Sequence, residues 1–301
     1  MKLMKRVFSF VVSLCIAFGM AGHAFADQDN QASVAPFVAI HRTPQELQRL
    51  VAPIALYPDP LVAQILTAAT HNVEVVATDR WMHSHSQLKG GELAAQVDQQ
   101  VWDASVKALT GFPTVLADMD QNVVWTSSLG DAYQSQPQQL MMAIQVMRQR
   151  ASAAGNLEMN QQQTITTAGG LISILPANPS VAYVPEYDPA LVYAAPVALW
   201  PNWYPAPSLY LDRPEVVFGV GFDLGYSGDY GWGWRHWSAA WRHRAVWFNG
   251  GEYVWHDRSL IDANYLFHGN EDFSLALGAY DVRAMDRAAA IRRHTPSVTA
   301  L

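Results

Sequence analysis

The chain has 301 residues, a formal net charge of −7, a single cysteine and a half-hydrophobic composition. An acidic balance of this kind argues against nucleic acid as a partner, because neutralising phosphates needs a basic surface. The length is sufficient for one large or two modest domains with a real core.

The first residues read as a signal peptide. Lys2, Lys5 and Arg6 form a positive n-region, residues 7–20 are apolar apart from Ser9, Ser13 and Gly19, and Ala24-Phe25-Ala26 supplies a small-x-small cleavage site. The apolar stretch is shorter than the roughly 20 residues a membrane span needs. Cleavage after Ala26 removes three positive charges and no negative ones, so the net charge goes from −7 to −10. It also removes Cys15, which leaves no disulfide and no thiolate ligand in the mature protein. A periplasmic or otherwise extracytoplasmic location follows, and no later stretch reads as a membrane-spanning helix.

Residues 27–42 are a flexible lead-in. Thr43-Pro44-Gln45-Glu46 is a capping box, followed by Leu47, Leu50, Val51 and Ile54 at helical spacing. Tyr57-Pro58-Asp59-Pro60 ends that helix and starts another, with Asp59 as cap and Leu61, Ile65 and Leu66 facing inward. Asn72 is placed to cap a third helix carrying Val73, Val76, Ala77 and Trp81. Beyond Gly90-Gly91 come a helix near 92–99, one capped by Asp103, the Phe112-Pro113 turn leading into Val115, Leu116 and Met119, and a long helix near 136–154. This makes an all-α block of about six helices.

The pattern then changes. Residues 162–175 alternate around Ala168-Gly169-Gly170, which predicts a β-hairpin, and Val181-Ala182-Tyr183-Val184 supplies a third strand. Residues 185–214 are rich in Pro, Tyr and Trp and cannot be regular for long. From 216 to 236 large apolar residues alternate with glycine and polar residues. A turn at Ser227-Gly228-Asp229 would set Tyr226 opposite Tyr230, Leu224 opposite Trp232 and Phe222 opposite Trp234 on one face. A further hairpin over 245–256, with Gly250-Gly251 as its loop, would pair Phe248 with Tyr253 and Val246 with Trp255. A helix with four arginines is expected over 281–293.

Three blocks resemble a bacterial exported family known as domain of unknown function 3300. They are Leu50 through Leu66 with Tyr57-Pro58-Asp59-Pro60 at its centre, Trp102-Asp103-Ala104-Ser105-Val106-Lys107-Ala108-Leu109 with Phe112-Pro113, and Tyr183-Val184-Pro185-Glu186-Tyr187-Asp188-Pro189. The resemblance covers roughly 45–195. It implies an envelope protein of helical-then-β build, and it carries over no catalytic residue and no activity.

The fold expected is α+β: a helical domain closing with a β-hairpin over 43–195, then an aromatic, Gly-rich, partly irregular region over 196–301. Asp59 and Asp188 sit where turns and caps want a side-chain oxygen. Glu186 and Asp188, two apart, would share a face of a strand and offer the carboxylate pair of a glycan hydrolase. His83 and His85, the repeated Trp234-Arg235-His236 and Trp241-Arg242-His243, and His256 with Asp257 could be assembled into a zinc site. The arginines beside His236 and His243 oppose a dication, and no HExxH pair is present. No Gly-x-Ser-x-Gly elbow occurs, and the glycines around Val220 lack the Lys-Ser/Thr of a phosphate loop. The expectation is a non-enzymatic envelope protein without cofactor or metal. The aromatic face is either the inside of a small β-layer packed on the helices or a surface that binds an envelope protein or a glycan through Phe222, Tyr226, Tyr230, Trp232 and Trp234, with glycan hydrolysis by Glu186 or Asp188 as the alternative function.

Overall fold

The computed structural model describes residues 41–205 and 214–253. Contacts divide the chain after Val38, and every described residue belongs to the second unit, Ala39–Leu301. The signal peptide expected over residues 1–26, His256, Asp257 and the helix expected over 281–293 lie outside the described residues. What is described has the α+β build expected: helices first, then small antiparallel sheets.

Helix α1, Pro44–Val51, starts on the expected capping box: Thr43 Oγ1 accepts from Glu46 N at 3.3 Å, and Glu46 Oε2 accepts from Thr43 N at 2.7 Å. Helix α2, Asp59–Ala68, is buried at all ten positions, which marks it as the central helix. Around it come α3 (Asn72–Ser84), α4 (Gly90–Asp98), α5 (Ala104–Leu109), α6 (Pro113–Gln121), α7 (Val123–Ser135) and α8 (Pro137–Ala153). Asp103 caps α5 as expected, accepting from Ser105 N at 2.8 Å. Asn72 does not cap α3; it is the first helical residue, and no side chain caps that end.

Helix α7 is additional to the expected set. Its inward residues Trp125, Leu129, Ala132 and Tyr133 do keep helical spacing, but Thr126-Ser127-Ser128 and Gly130 blur it. Gly130 is there for close approach: a Cβ at that position would lie 2.2 Å from the Ala69 carbonyl oxygen. Replacing Gly130 with alanine is expected to cost about 2–3 kcal/mol by forcing the helix away from that carbonyl, measurable by urea unfolding.

Strands β1 (Gln163–Ala168) and β2 (Leu171–Pro176) form the first hairpin as expected, turning on Gly169 and Gly170, both at positive φ. Strand β3, Val181–Glu186, pairs antiparallel with β4, Val217–Asp223, in the register Tyr183↔Gly221 and Glu186↔Val217. A third sheet joins β5 (Trp237–Ala240), β6 (Ala245–Phe248) and β7 (Gly251–Glu252).

Two expectations are corrected here. The hairpin about Ser227-Gly228-Asp229 does not form, because β4 takes β3 as its partner. Past Leu224 the chain coils through successive tight turns, Tyr230 N to Ser227 O at 3.2 Å and Gly233 N to Tyr230 O at 2.9 Å. Gly233 permits this, since a Cβ there would fall 2.1 Å from the Ser227 carbonyl oxygen. The last hairpin turns on Asn249-Gly250 rather than Gly250-Gly251, pairing Phe248 with Gly251. Asn249 and Gly250 both take the left-handed conformation that a type I′ turn requires at its two central positions.

The sheets are not a separate layer. Helix α2 packs against α5, α7 and β5. One hydrophobic core runs from Leu47 to Val246, taking in Trp232, Trp237 and Trp241 with the helical residues.

Candidate functional site

The two motif-bearing loops meet at a buried ionic node. Asp59, expected to cap α2, instead points into the protein, and Pro58 precedes the helix without a side-chain cap. One carboxylate oxygen of Asp59 accepts from Arg148 Nη1 at 2.5 Å and from Ile174 N at 3.1 Å. The other accepts from Trp241 Nε1 at 2.8 Å. Arg148, on α8 and fully buried, also donates to the carbonyls of Ala55 (2.8 Å), Tyr57 (2.9 Å) and Ile172 (2.9 Å). Its guanidinium lies 4.5 Å from the centre of the Trp241 ring. Beside it, Tyr187 donates to Ala52 O at 3.0 Å, and burial pushes its phenol far above the usual range. With no solvent access and its donors matched to acceptors, this node ties α2, α8, β2 and the C-terminal sheet together. It is a keystone rather than a reaction centre.

The five aromatic residues expected to form one face are divided. Phe222, on β4, and Trp234 gather around Phe112, with ring centres 5.3 and 5.4 Å from it. Tyr230 stacks on Trp232 at 5.3 Å, and Trp232 Nε1 donates to Asp98 Oδ1 at 2.9 Å. Trp232 and Trp234 are 2% and 9% exposed, so the outward-facing stripe is corrected at these two positions. An indole must bury its rings and still find an acceptor, and the α4–α6 corner offers both. Phe222, Tyr226 and Tyr230 stay half-buried, with burial pushing the Tyr226 phenol up to about 12. Side chains of β3 approach the glycines of β4. The Glu186 carboxylate lies over Gly219 and the Tyr183 ring over Gly221, where a Cβ would sit 2.8 and 3.0 Å from them.

The family model described as protein of unknown function (DUF3300) matches residues 43–267. The chain belongs to this family. Among curated proteins, the chain is similar to the uncharacterized protein YacH of Escherichia coli (strain K12), 35% identical over 220 residues, covering 62% of this chain and 36% of that protein. The match therefore spans about a third of the relative's length. No solved structure matches. Ala55, Tyr57 and Asp59, from the first of the three sequence blocks, take part in the buried node, whereas Arg148 and Trp241 lie outside those blocks.

The other candidate groups are dispersed. Strand β3 ends at Glu186, so Asp188 does not share its face; the Asp188 carboxylate instead accepts from Ala190 N at 2.8 Å and closes a turn. His83 bonds back to Asp79, its Nδ1 2.8 Å from the backbone oxygen, and that hydrogen bond together with the Asp79 charge raises its pKa. The His85 ring stacks on Trp81 at 4.3 Å. His236 lies in the C-terminal segment, where burial lowers its pKa. Among the described residues no three His, Cys, Asp or Glu side chains are grouped to hold a metal ion, and no helix is long and apolar enough to cross a membrane.

One polar contact was not readable from sequence spacing. Asp103, besides capping α5, accepts from Tyr253 Oη at 3.0 Å and lies 3.7 Å from His71 Nε2, so the last described residue is fastened to the helical block. The capping signal was visible; the use of the second carboxylate oxygen was not.

Proposed function

We propose that this chain is a non-enzymatic exported protein of the cell envelope. It acts by binding an envelope protein or a glycan through the part of its aromatic C-terminal segment that stays at the surface. The observation that carries this reading is how the distinctive residues are used. Two of the motif carboxylates are engaged internally, Asp59 with Arg148 and Trp241, Asp188 with its own turn. Phe222, Tyr226 and Tyr230 keep partial exposure while Trp232 and Trp234 anchor the segment. Half-exposed aromatic rings on a rigid base suit recognition, because their open faces and edges can pack on a sugar or an apolar side chain.

Retention of the mature chain on purified peptidoglycan tests it, comparing wild type with Tyr226→Ala/Tyr230→Ala. A glycan partner predicts wild-type retention that falls at least ten-fold in the double variant, with the unfolding midpoint shifted by only a few degrees. Absence of wild-type retention removes the glycan and leaves the protein partner. Glycan turnover abolished by Glu186→Gln or Asp188→Asn would overturn the non-enzymatic reading.

A further inference from the structure

The segment that follows the second motif loop is strapped across the helices by side chains donating to its backbone. Arg150 Nη2 reaches Ala195 O at 2.9 Å, Arg49 Nε reaches Ala198 O at 3.0 Å, and Arg42 lies over the Trp200 ring. The last tie is Asn122, buried at the end of α6. Its Oδ1 accepts from Tyr204 N at 2.8 Å, and its Nδ2 donates to Tyr204 O at 3.0 Å. The same Nδ2 faces Asp118 O at 3.0 Å and Asp118 Oδ1 at 3.1 Å. An amide nitrogen has two hydrogens, and here three acceptors share them.

We propose that Asp118, Asn122 and the Tyr204 backbone form an acid-sensitive latch: a neutral Asp118 leaves the Asn122 amide to hold Tyr204, and an ionised Asp118 draws that amide away and loosens the strap. A hydrogen bond to a carboxylate is about twice as strong as one to a neutral carbonyl, so ionisation decides the competition. Burial raises Asp118 to about 7, which places the change near neutral pH. An exported protein meets the pH of its surroundings directly, so such a latch would be exercised.

The groups around Asp118 leave this competition undisturbed. Tyr57, from the loop before α2, is within electrostatic reach of Asp118, and Glu186 of β3 acts on that same tyrosine. Asp120 acts on the other side, on Asp79 and His83 of α3. Asp131 of α7 faces Arg42, and Lys107 of α5 donates to Asp98 O. Tyr204 is 61% exposed beside the exposed Val123 and Val124, so the latch governs the shape of a surface patch.

Amide hydrogen exchange of the full mature chain tests it, read as protection factors for residues 198–205 at pH 5.5 and pH 8. In wild type the protection is expected to fall at least five-fold at the higher pH, and in Asp118→Asn to stay constant. Equal protection at both pH values in wild type, or the same loss in Asp118→Asn, would overturn the latch. Should Asp118→Asn not fold, wild type labelled with ¹⁵N-tyrosine gives the answer. The Tyr204 amide must titrate with a midpoint near 7, and a resonance that does not move refutes the proposal. The latch does not depend on the proposed binding role, and neither result bears on retention by peptidoglycan.

Discussion

Replacing Arg148 with methionine is expected to destabilise the protein by about 3–5 kcal/mol, the largest effect of any single substitution considered. The methionine fills much of the same volume, so the loss is not one of packing. It comes from leaving the Asp59 carboxylate without its cation in a fully buried place, and from stripping the Ala55, Tyr57 and Ile172 carbonyls of a donor. Lysine at this position keeps the charge but not the planar fork, so it is expected to recover less than half of the loss. Asp59→Asn should be of similar severity to Arg148→Met, because it leaves a guanidinium short of its counter-charge. The double variant should cost less than the two single effects added, since each removes the other's stranded partner. Urea unfolding with a two-state fit gives these numbers. A loss below about 1 kcal/mol for Arg148→Met would show that the node does not hold the fold together.

That node also explains what could be read in the chain and what could not. Local signals were decisive wherever the physics is local. Thr43 with Glu46 makes a capping box, Asp103 caps α5, and Gly169-Gly170 turns the first hairpin, each as the sequence suggests. Asp59 looked like one more cap because Asp-Pro before an apolar run is a cap pattern. Its true partners, Arg148 and Trp241, are 89 and 182 residues away, and no spacing rule reaches that far.

The segment 216–236 failed differently. Its alternation is real for β4, where the large residues do alternate with glycine. But period two specifies a strand, not its partner, and β3 already stood ready with Tyr183 and Glu186 to cover Gly221 and Gly219. Past Leu224 the same alternation has another use. Glycines there allow tight turns, and Trp232 and Trp234 between them fill the core, Trp232 finding its acceptor at Asp98. An aromatic stripe in a Gly-rich segment is thus as compatible with internal glue as with a binding face. The distribution of burial assigns Trp232 and Trp234 to the first, and the binding role proposed for Tyr226 and Tyr230 rests on their partial exposure.

Asp118→Asn is expected to make the protein more stable, not less, at neutral and alkaline pH. In the folded chain burial raises Asp118 to about 7, well above its ordinary value of 3.8, against the weaker opposing pull of the Asn122 amide. The folded state therefore binds this proton more tightly than the unfolded state does. Stability associated with the group is complete below about pH 4, declines as pH rises, and is lost above about pH 7. A shift of this size corresponds to a ceiling of about 4 kcal/mol, and because Asp118 keeps some exposure to water about 2 kcal/mol is expected. Asparagine mimics the neutral acid at every pH and retains the hydrogen-bonding partners at Asn122. The difference between the wild-type and Asp118→Asn unfolding free energies should thus be small at pH 4 and grow to about 2 kcal/mol in favour of the variant by pH 8. A difference of the opposite sign at pH 8 would mean that the folded state favours the carboxylate, with the Asn122 hydrogen bond outweighing desolvation.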